Sequence, residues 1–504
     1  MSAVGSILTN QGALDALNSI SNTSNANNTL EQELSSGLSI NSPQDNPAGY
    51  ITAQGFTSQE NGLLQATSNA NEANSLLSVA DGAIQQQISV TQSLNSIAVQ
   101  AANGTNDPSE AESLQNVVTQ LASQITTIST QTEFNNISLL NGTFSGTQFQ
   151  VGANEGQTIS LSIENTSANS LGLNQSQAET VADGGSVSIY TGSGGVTAGG
   201  VLSTGASLAV AGAFTAGTVK YTGTNGVTGS VAVTANASAY SIASAVNKAA
   251  GTSLTASATN VSTLTATAGS NGFKFKIAGS GGTSDNTTIN ASTLSAVASQ
   301  INGDTNITGI SATYTGSSNA TTGTLTLTQA NGKNIILTAS GAAAASGSLV
   351  AGASTQATAA TFGSAAGQVG LIQGTVHFQS SAAFGLSGGS AIGLGKASTL
   401  TSLADINVTT TAGANTAINV VKFALQGLNN QAGQIGAVQQ RLEATVNNLN
   451  TTSQNVTTAL GVVQDANIPQ VSNSLTESQI QAQAGVAALK DSTTLQQSYL
   501  SLLG

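Results

Sequence analysis

The sequence predicts an α+β, multidomain chain: long coiled-coil-like α-helices from both termini, with a β-rich variable insertion between them. Three observations carry this. Residues 1–140 and 414–504 are rich in Leu, Ile, Ala, Asn and Gln at helical spacing. Residues 141–413 are rich in Gly, Thr, Ser and Ala, with apolar residues alternating in patches. All four prolines, Pro43, Pro47, Pro108 and Pro469, lie in the helical ends.

Taken in chain order, Leu14, Leu17, Ile20 and Leu30, Leu34, Leu38 form stripes that suggest one or two helices before residue 40. Pro43 and Pro47 then break the pattern. Leu63, Ala70, Leu77, Ile84 and Ala98 share one heptad row, with Thr91 as its gap. Ala66, Ala73, Ala80, Leu94 and Ala101 make a second row of mostly small residues. A shorter helix follows, with Leu114, Val117, Leu121, Ile125 and Ile128 on one face. Asp107, Pro108 and Glu110 mark its start as a capping box with proline at the first helical position.

The segment FQVGANEGQTISLSI (149–163) reads as a hairpin around Asn154, Glu155 and Gly156. SVSIY (186–190), SVAVT (230–234), FKFKI (273–277) and TLTLT (324–328) alternate as half-buried strands do. Asn331-Gly332 is a hairpin signal between TLTLT and NIILT. Residues 242–277 parallel 297–337, each a short helix, a strand and a strand-turn-strand with Asn-Gly at matching places. Residues 340–368 are of low complexity and read as loop or surface strand. In the C-terminal region Val421, Leu428, Ile435, Leu442, Leu449, Val456 and Val463 recur every seven residues, a helix about 69 Å long from 418 to 463. Leu425, Ala432, Val446 and Leu460 fill much of a second row, which Gln439 and Ser453 interrupt. Beyond Pro469, Val471, Leu475, Ala482, Val486, Leu489 and Leu502 form a last stripe. The expected divisions are 1–45 and 466–504 as terminal helices, 46–175 and 401–465 as an inner helical domain with the hairpin at 149–163, and 176–400 as outer β-rich domains with a repeat at about 240–280 and 292–340.

Two lone helices the size of the terminal segments bury too little surface to offset the ordering of the chain. They are expected to be disordered in a monomer and to pack only against copies. The stripes at 55–130 and 418–463 are expected to pack on one another within a subunit.

Composition narrows the function. With 504 residues, no Cys, one His and 6% charged residues, the chain has no disulfide scaffold, zinc-thiolate site or cysteine nucleophile. Nine basic residues against 22 acidic give a formal charge of −13, and residues 1–219 contain no Lys or Arg. Nucleic acid and anionic membrane surfaces are thereby disfavoured as partners. The N-terminus lacks the basic and apolar regions of an ordinary signal peptide, and no run of apolar residues is long enough to span a bilayer. So little surface charge does little to prevent self-association. Catalytic signals fail one by one. His377 lies in a strand with no nucleophile elbow in the sequence; IGLGKAST (392–399) fails the phosphate-loop pattern; GSGGTSDN (279–286) has one carboxylate; Asp107, Glu110 and Glu112 are explained largely by helix capping. No catalytic, cofactor or metal site is expected.

The helical ends resemble bacterial flagellin. The matching segments are LSSGLSINSPQDNPAGY (34–50), AVQAANGTND (98–107), TQTEFNNISLLNG (130–142), FQVGAN (149–154), GAVQQRLEATVNNL (436–449) and SQIQAQAGVAALKD (478–491). The central repeat is similar to a small domain inserted in many flagellins. The resemblance implies a secreted, extracellular structural subunit that polymerises into the flagellar filament for swimming. Both termini would then pair as helices in the filament core, with the inner helices around them and the middle projecting outward. Filament-core contacts are thus expected at Leu14, Leu17, Ile20, Leu30, Leu34, Val471, Leu475, Val486, Leu489 and Leu502. Packing between the inner helices is expected at Leu63, Leu77, Ile84, Leu94, Leu114, Leu121, Leu428, Ile435, Leu442, Leu449, Val456 and Val463. The implied partners are further copies of the chain, an export chaperone at about 470–503, and the filament cap and hook–filament junction proteins. Where family members commonly carry charge, this chain has Ser39, Ser93, Asn95, Ser96 and Val117, so weak or no Toll-like receptor activation is expected. Two alternatives stay open: a hook–filament junction protein with the same terminal helices, and a secreted adhesin or surface-layer protein, which leaves the terminal heptads unexplained.

Overall fold

The structure, a computed structural model, describes residues 10–176, 179–180, 187–190, 217–223, 228–233, 237–249, 254–268, 271–279, 286–317, 320–339, 348–351, 361–362, 369–372, 374–387 and 398–503. Helices α1 (Gln11–Ser36), α2 (Pro47–Ala101) and α3 (Pro108–Gln131) lead into two hairpins, β1 (Glu133–Phe134) with β2 (Ile137–Ser138), and β3 (Thr147–Gln150) with β4 (Thr158–Leu161). Strands β5 (Gly172–Gln175), β6 (Glu179–Thr180), β7 (Val187–Tyr190), β8 (Gly217–Gly223) and β9 (Thr228–Val233) precede α4 (Ala239–Lys248). The centre continues through β10 (Thr255–Thr267), β11 (Phe273–Gly279), β12 (Asn286–Ala291), α5 (Leu294–Gly303), the short α6 (Thr305–Thr308), β13 (Ile310–Thr315), β14 (Thr322–Gln329) and β15 (Ile335–Ala339). After β16 (Ser348–Ala351), β17 (Thr361–Phe362), β18 (Val369–Ile372), β19 (Thr375–Ser380), β20 (Phe384–Ser387) and β21 (Thr399–Ser402), the chain ends in α7 (Thr411–Gln464) and α8 (Ile468–Leu503). No helix among the described residues is long and apolar enough to cross a membrane. The low-complexity stretch 340–368 lies mostly outside the described residues.

The chain forms two compact units. The first comprises residues 1–81, 144–162 and 434–504; the second comprises 82–143 and 163–433. In the first, α2 and α7 contribute the heptad residues Leu63, Ala66, Leu449 and Val456 to one core cluster, closed by Phe56 and by Ala153 of the β3–β4 loop. That loop turns at Gly156 (φ +81°), and Val151 N–H returns to Gln157 O at 2.9 Å.

In the second unit the Asn-Gly turns do something other than make hairpins. β14 pairs with β13 and β10, whereas β15, just beyond Asn331-Gly332, pairs with β11 and β18. β10 and β11, on either side of Asn271-Gly272, are likewise in different sheets. Both turns move the chain from one layer to the other. Gly272 (φ +77°) and Gly332 (φ +69°) each lie against another backbone segment, at Ala291 and Ala258, where a Cβ would collide. The reason is the core: Leu264, Leu325 and Leu327 on one sheet and Phe273, Phe275, Ile277, Ile335 and Leu337 on the other enclose α5.

The pairing also redraws the repeat. A hairpin, a helix, a strand and two further strands recur as β11–β12–α5–β13–β14–β15 and as β8–β9–α4–β10–β19–β20. The strand orders match, β15–β11–β12 within a five-stranded sheet and β20–β8–β9 as a three-stranded one. In each copy one asparagine locks the helix end to the following strand. Asn247 holds Ala256 N and O at 2.8 Å each, and Asn302 holds Ala312 N and O at 2.7 and 2.8 Å. The second copy is therefore inserted within the first, between β10 and β19.

Candidate assembly surfaces

α1 and α8 pack antiparallel on each other. Their facing residues follow the alternating three- and four-residue steps of a coiled coil: Ala13, Ala16, Ile20, Thr23, Asn27 and Leu30 are half-buried on α1, against Val471, Leu475, Ser478, Ala482, Gly485 and Leu489 on α8. The seam is made of small residues, so the backbones approach closely. A Cβ on Gly485 would lie 3.0 Å from Ile20. Asn10 caps α1 by accepting from Ala13 N, and its Nδ2 reaches Ser492 O and Gln496 Oε1 of α8. At the other end Gly37, left-handed at φ +74°, closes α1, and Ser39 N and Ala466 N bond Gln464 O and Gly37 O at 2.7 and 2.9 Å. The terminal segments therefore pack on each other within one chain, and not only on copies as expected. Helices of 26 and 36 residues that share a continuous seam support each other, which a lone helix cannot do.

The seam uses only part of the apolar stripe. Ile20, Leu30, Val471, Leu475 and Leu489 lie half-buried or buried along it. Leu14, Leu17 and Leu34 on α1 and Val486 on α8 point away from it, with Leu14 46% and Val486 56% exposed; the side chain of Leu502 is outside the described residues. Ile480 (62% exposed) and Leu495 add to the outward row on α8. Sequence reasoning missed these two because they fall off the strongest stripe. Both helices thus present outward apolar rows that nothing in the chain's own helix pair covers.

The connection after α1 is held by Asp45. Its Oδ2 accepts from Asn41 N at 2.9 Å and Ser42 N at 2.7 Å, and these bonds hold the carboxyl below its ordinary pKa. Glu33 is pushed the other way, first by burial and then by the charge of Asp45.

On the inner helices, Leu63, Leu77, Ile84, Leu94, Leu428, Ile435, Leu442, Leu449 and Val456 are buried, while Leu114, Leu121 and Val463 are half-buried. The face of α3 differs from the expected stripe. Ala111, Val118, Ala122, Ile125 and Ser129 are buried, and Val117 is exposed. Small residues let α3 approach its neighbours, and Ser129 Oγ reaches Leu140 O at 2.7 Å. The Asp107–Glu110 capping box is present in both directions.

The second unit also holds a buried polar node that the heptad pattern did not reveal. Gln87 Nε2 donates to Ile125 O at 3.1 Å and Thr166 O at 3.2 Å; Thr166 N donates to Leu140 O; Gln431 Oε1 accepts from Glu164 N. Segment 163–168 is thereby tied to α2, α3 and α7. Gln115 adds a further tie, its side chain bonding Ile406 O and Val408 N.

His377 is half-buried on β19, its Nε2 3.5 Å from Thr375 Oγ1, and burial lowers its pKa. Among the described residues no cluster of three or more His, Cys, Asp or Glu is placed to hold a metal. IGLGKAST and GSGGTSDN lie mostly outside the described residues.

Paired terminal helices with outward apolar rows, joined to a heptad-packed inner shell, define a subunit built to assemble with others. Residues 7–145 match the bacterial flagellin N-terminal helical region, and residues 418–503 match the bacterial flagellin C-terminal helical region. The chain is 33% identical to the B-type flagellin of Pseudomonas aeruginosa, over 98% of this chain and 99% of that one. It is 38% identical to a flagellin of Xenorhabdus nematophila over 34% of this chain and 54% of that one. Among solved structures, FliC from Burkholderia pseudomallei is 19% identical, covering 73% of this chain and 99% of that one with a TM-score of 0.28. The chain belongs to the bacterial flagellin family. It is a structural subunit of the flagellar filament.

Proposed function

We propose that copies of this chain meet through the outward rows of α1 and α8, which form the core of a helical polymer used for swimming. The observation that carries the reading is the pair of uncovered apolar rows on two helices already joined to each other. Burial of each large side chain there is worth about 1.5–3 kcal/mol at most. The inner helices form the shell around that core through the heptad residues Leu63 to Leu94 and Leu428 to Val463. The protein acts by assembly and not as an enzyme. It is exported to the cell exterior, with a chaperone holding the α8 stripe before polymerisation and a cap protein guiding addition at the tip.

The test is electron microscopy of the purified chain with short filament seeds and precipitating salt, beside a variant lacking 1–38 and 470–504. Long filaments from the full chain alone support the reading. Monomers from both, on seeds of shown competence, favour a hook–filament junction protein. A second expectation concerns host recognition. Ser93, Asn95, Ser96 and Val117 supply no charge to the α2 and α3 surface, so a Toll-like receptor reporter assay gives weak or no activation; full activation at ordinary doses contradicts this.

A further inference from the structure

The sequence holds seven Asn-Gly pairs. At such a pair an asparagine amide is least protected from loss of ammonia, because glycine has no side chain to shield its N–H from the preceding amide carbon. The reaction needs a glycine N–H free of other bonds and a peptide that can rotate. The fold denies this to most of the pairs. Asn61 lies inside α2, where Gly62 N–H is committed to the helix ladder and Gly62 is seated against Ala153. Asn302 lies in the last turn of α5, and its amide is held on both sides by Ala312. Asn141 Oδ1 accepts from Thr143 N and Oγ1 at 3.0 and 2.7 Å, and Gly142 packs on Asn165. Gly272 is fixed at φ +77° against the backbone of Ala291. Gly332 N donates to Gln329 O at 3.0 Å, and Gly332 packs on the backbone of Ala258. Asn225 lies outside the described residues.

Asn103 and Gly104 meet both conditions. They stand in the turn between α2 and α3, and both are exposed. Among the described residues the Asn103 side chain makes no hydrogen bond, and neither does Gly104 N. A Cβ placed on Gly104 would meet nothing within 4 Å. The turn is held at its flanks, where Asn103 N and Asn106 Nδ2 donate to Gln100 O at 3.2 and 2.8 Å. The peptide joining Asn103 to Gly104 carries one long bond, from Asn106 N to Asn103 O at 3.3 Å, which leaves Gly104 N free.

We propose that Asn103 is a deamidation site of the folded chain, with water as the co-reactant. Gly104 N gives up its proton to solvent base and attacks Asn103 Cγ. The bond from Cγ to the side-chain nitrogen breaks, and that nitrogen takes up a proton and leaves as ammonia. A succinimide ring remains. Water adds to one of its two carbonyls and opens it, leaving either an aspartyl residue or an isoaspartyl one whose chain runs through Cβ. Nothing is oxidised or reduced. Each event adds one negative charge within residues 1–219, which hold no Lys or Arg. The turn therefore gains acidity as the chain ages. The inference concerns the folded chain itself and does not rest on the filament reading.

The test incubates the full chain at mildly alkaline pH, folded and in guanidinium chloride, with circular dichroism to show which state is present. Chymotryptic peptides are followed by mass spectrometry, and isoaspartate in each is counted by enzymatic methylation. In the folded chain Asn103 is expected to convert about tenfold or more faster than Asn61, Asn141, Asn271, Asn302 or Asn331, and in denaturant these rates should come within about threefold of one another. Gly104→Ala, at an open position, is expected to slow conversion at Asn103 and leave the other rates unchanged. Another of these five pairs reacting as fast as Asn103 in the folded chain overturns the proposal. So does an Asn103 that converts in denaturant and stays intact in the folded chain, or one whose rate Gly104→Ala does not change.

Discussion

Gln87 lies wholly buried in the heptad row that Ala66, Ala73, Ala80, Leu94 and Ala101 otherwise form. Its amide bonds two carbonyls from separate segments, so truncation removes both bonds and leaves a cavity. Gln87→Ala is expected to lower stability by about 2–4 kcal/mol, read from denaturant unfolding. An effect below about 0.5 kcal/mol would show that the node contributes nothing. The spacing marks Gln87 only as the polar gap in this row; its bonds depend on segment 163–168, which comes from elsewhere in the chain. Asp45 and Glu33 give a pH signature of opposite signs. The native pKa of Asp45 is lowered, so its contribution is full above the unfolded-state value of about 3.9 and is lost as pH falls through the native value. That of Glu33 is raised, so its contribution is full below the unfolded value and is lost as pH rises through the native one. Asp45→Asn should therefore lower the melting temperature at pH 7, and Glu33→Gln should raise it slightly. Both differences should shrink as the pH falls below the ordinary carboxylate range, and thermal melts at pH 7 and at low pH check this.

At the scale of elements, the same residue type has two different jobs. Leu77 is wholly buried on α2, whereas Leu17 is exposed on α1. Leu77→Ala should destabilise the monomer by about 2–5 kcal/mol. Leu17→Ser should leave the monomer melting temperature unchanged and raise the critical concentration for polymerisation. A melting temperature lowered as much by the second change as by the first would contradict the division between seam and outward row. Periodicity located α2 and α7 well, since a seven-residue repeat sustained over many turns fits neither a strand nor a loop. It placed the face of α3 about one residue away, because leucines outweigh alanines in a hydrophobicity pattern while alanines allow the closer approach. It also showed stripes on α1 and α8 without dividing them. Leu14 and Ile20 look alike in sequence, and only the partner helix decides which of them is covered. The Asn-Gly pairs marked real turns, but strand pairing across each turn was not legible: β14 and β15 are adjacent in sequence and belong to different sheets.

On the scale of the whole molecule, the helical ends were legible because both their pattern and their motifs are local. The nested outer modules were not, because β10 finds its partner β19 more than a hundred residues later, and local alternation carries no information about partners. Composition, by contrast, speaks for the molecule as a whole. With 6% charged residues, contacts between copies depend mainly on apolar and amide groups, and exposed charge pairs are screened within about a Debye length. Filament depolymerisation temperature should therefore change little between low and high salt; a large change would contradict this. The most direct measurement is a helical reconstruction of the filament by electron microscopy. Leu14, Leu17, Ile480, Val486 and Leu495 are expected to be buried between copies in the filament core. A filament in which α1 and α8 keep these side chains facing solvent would contradict it.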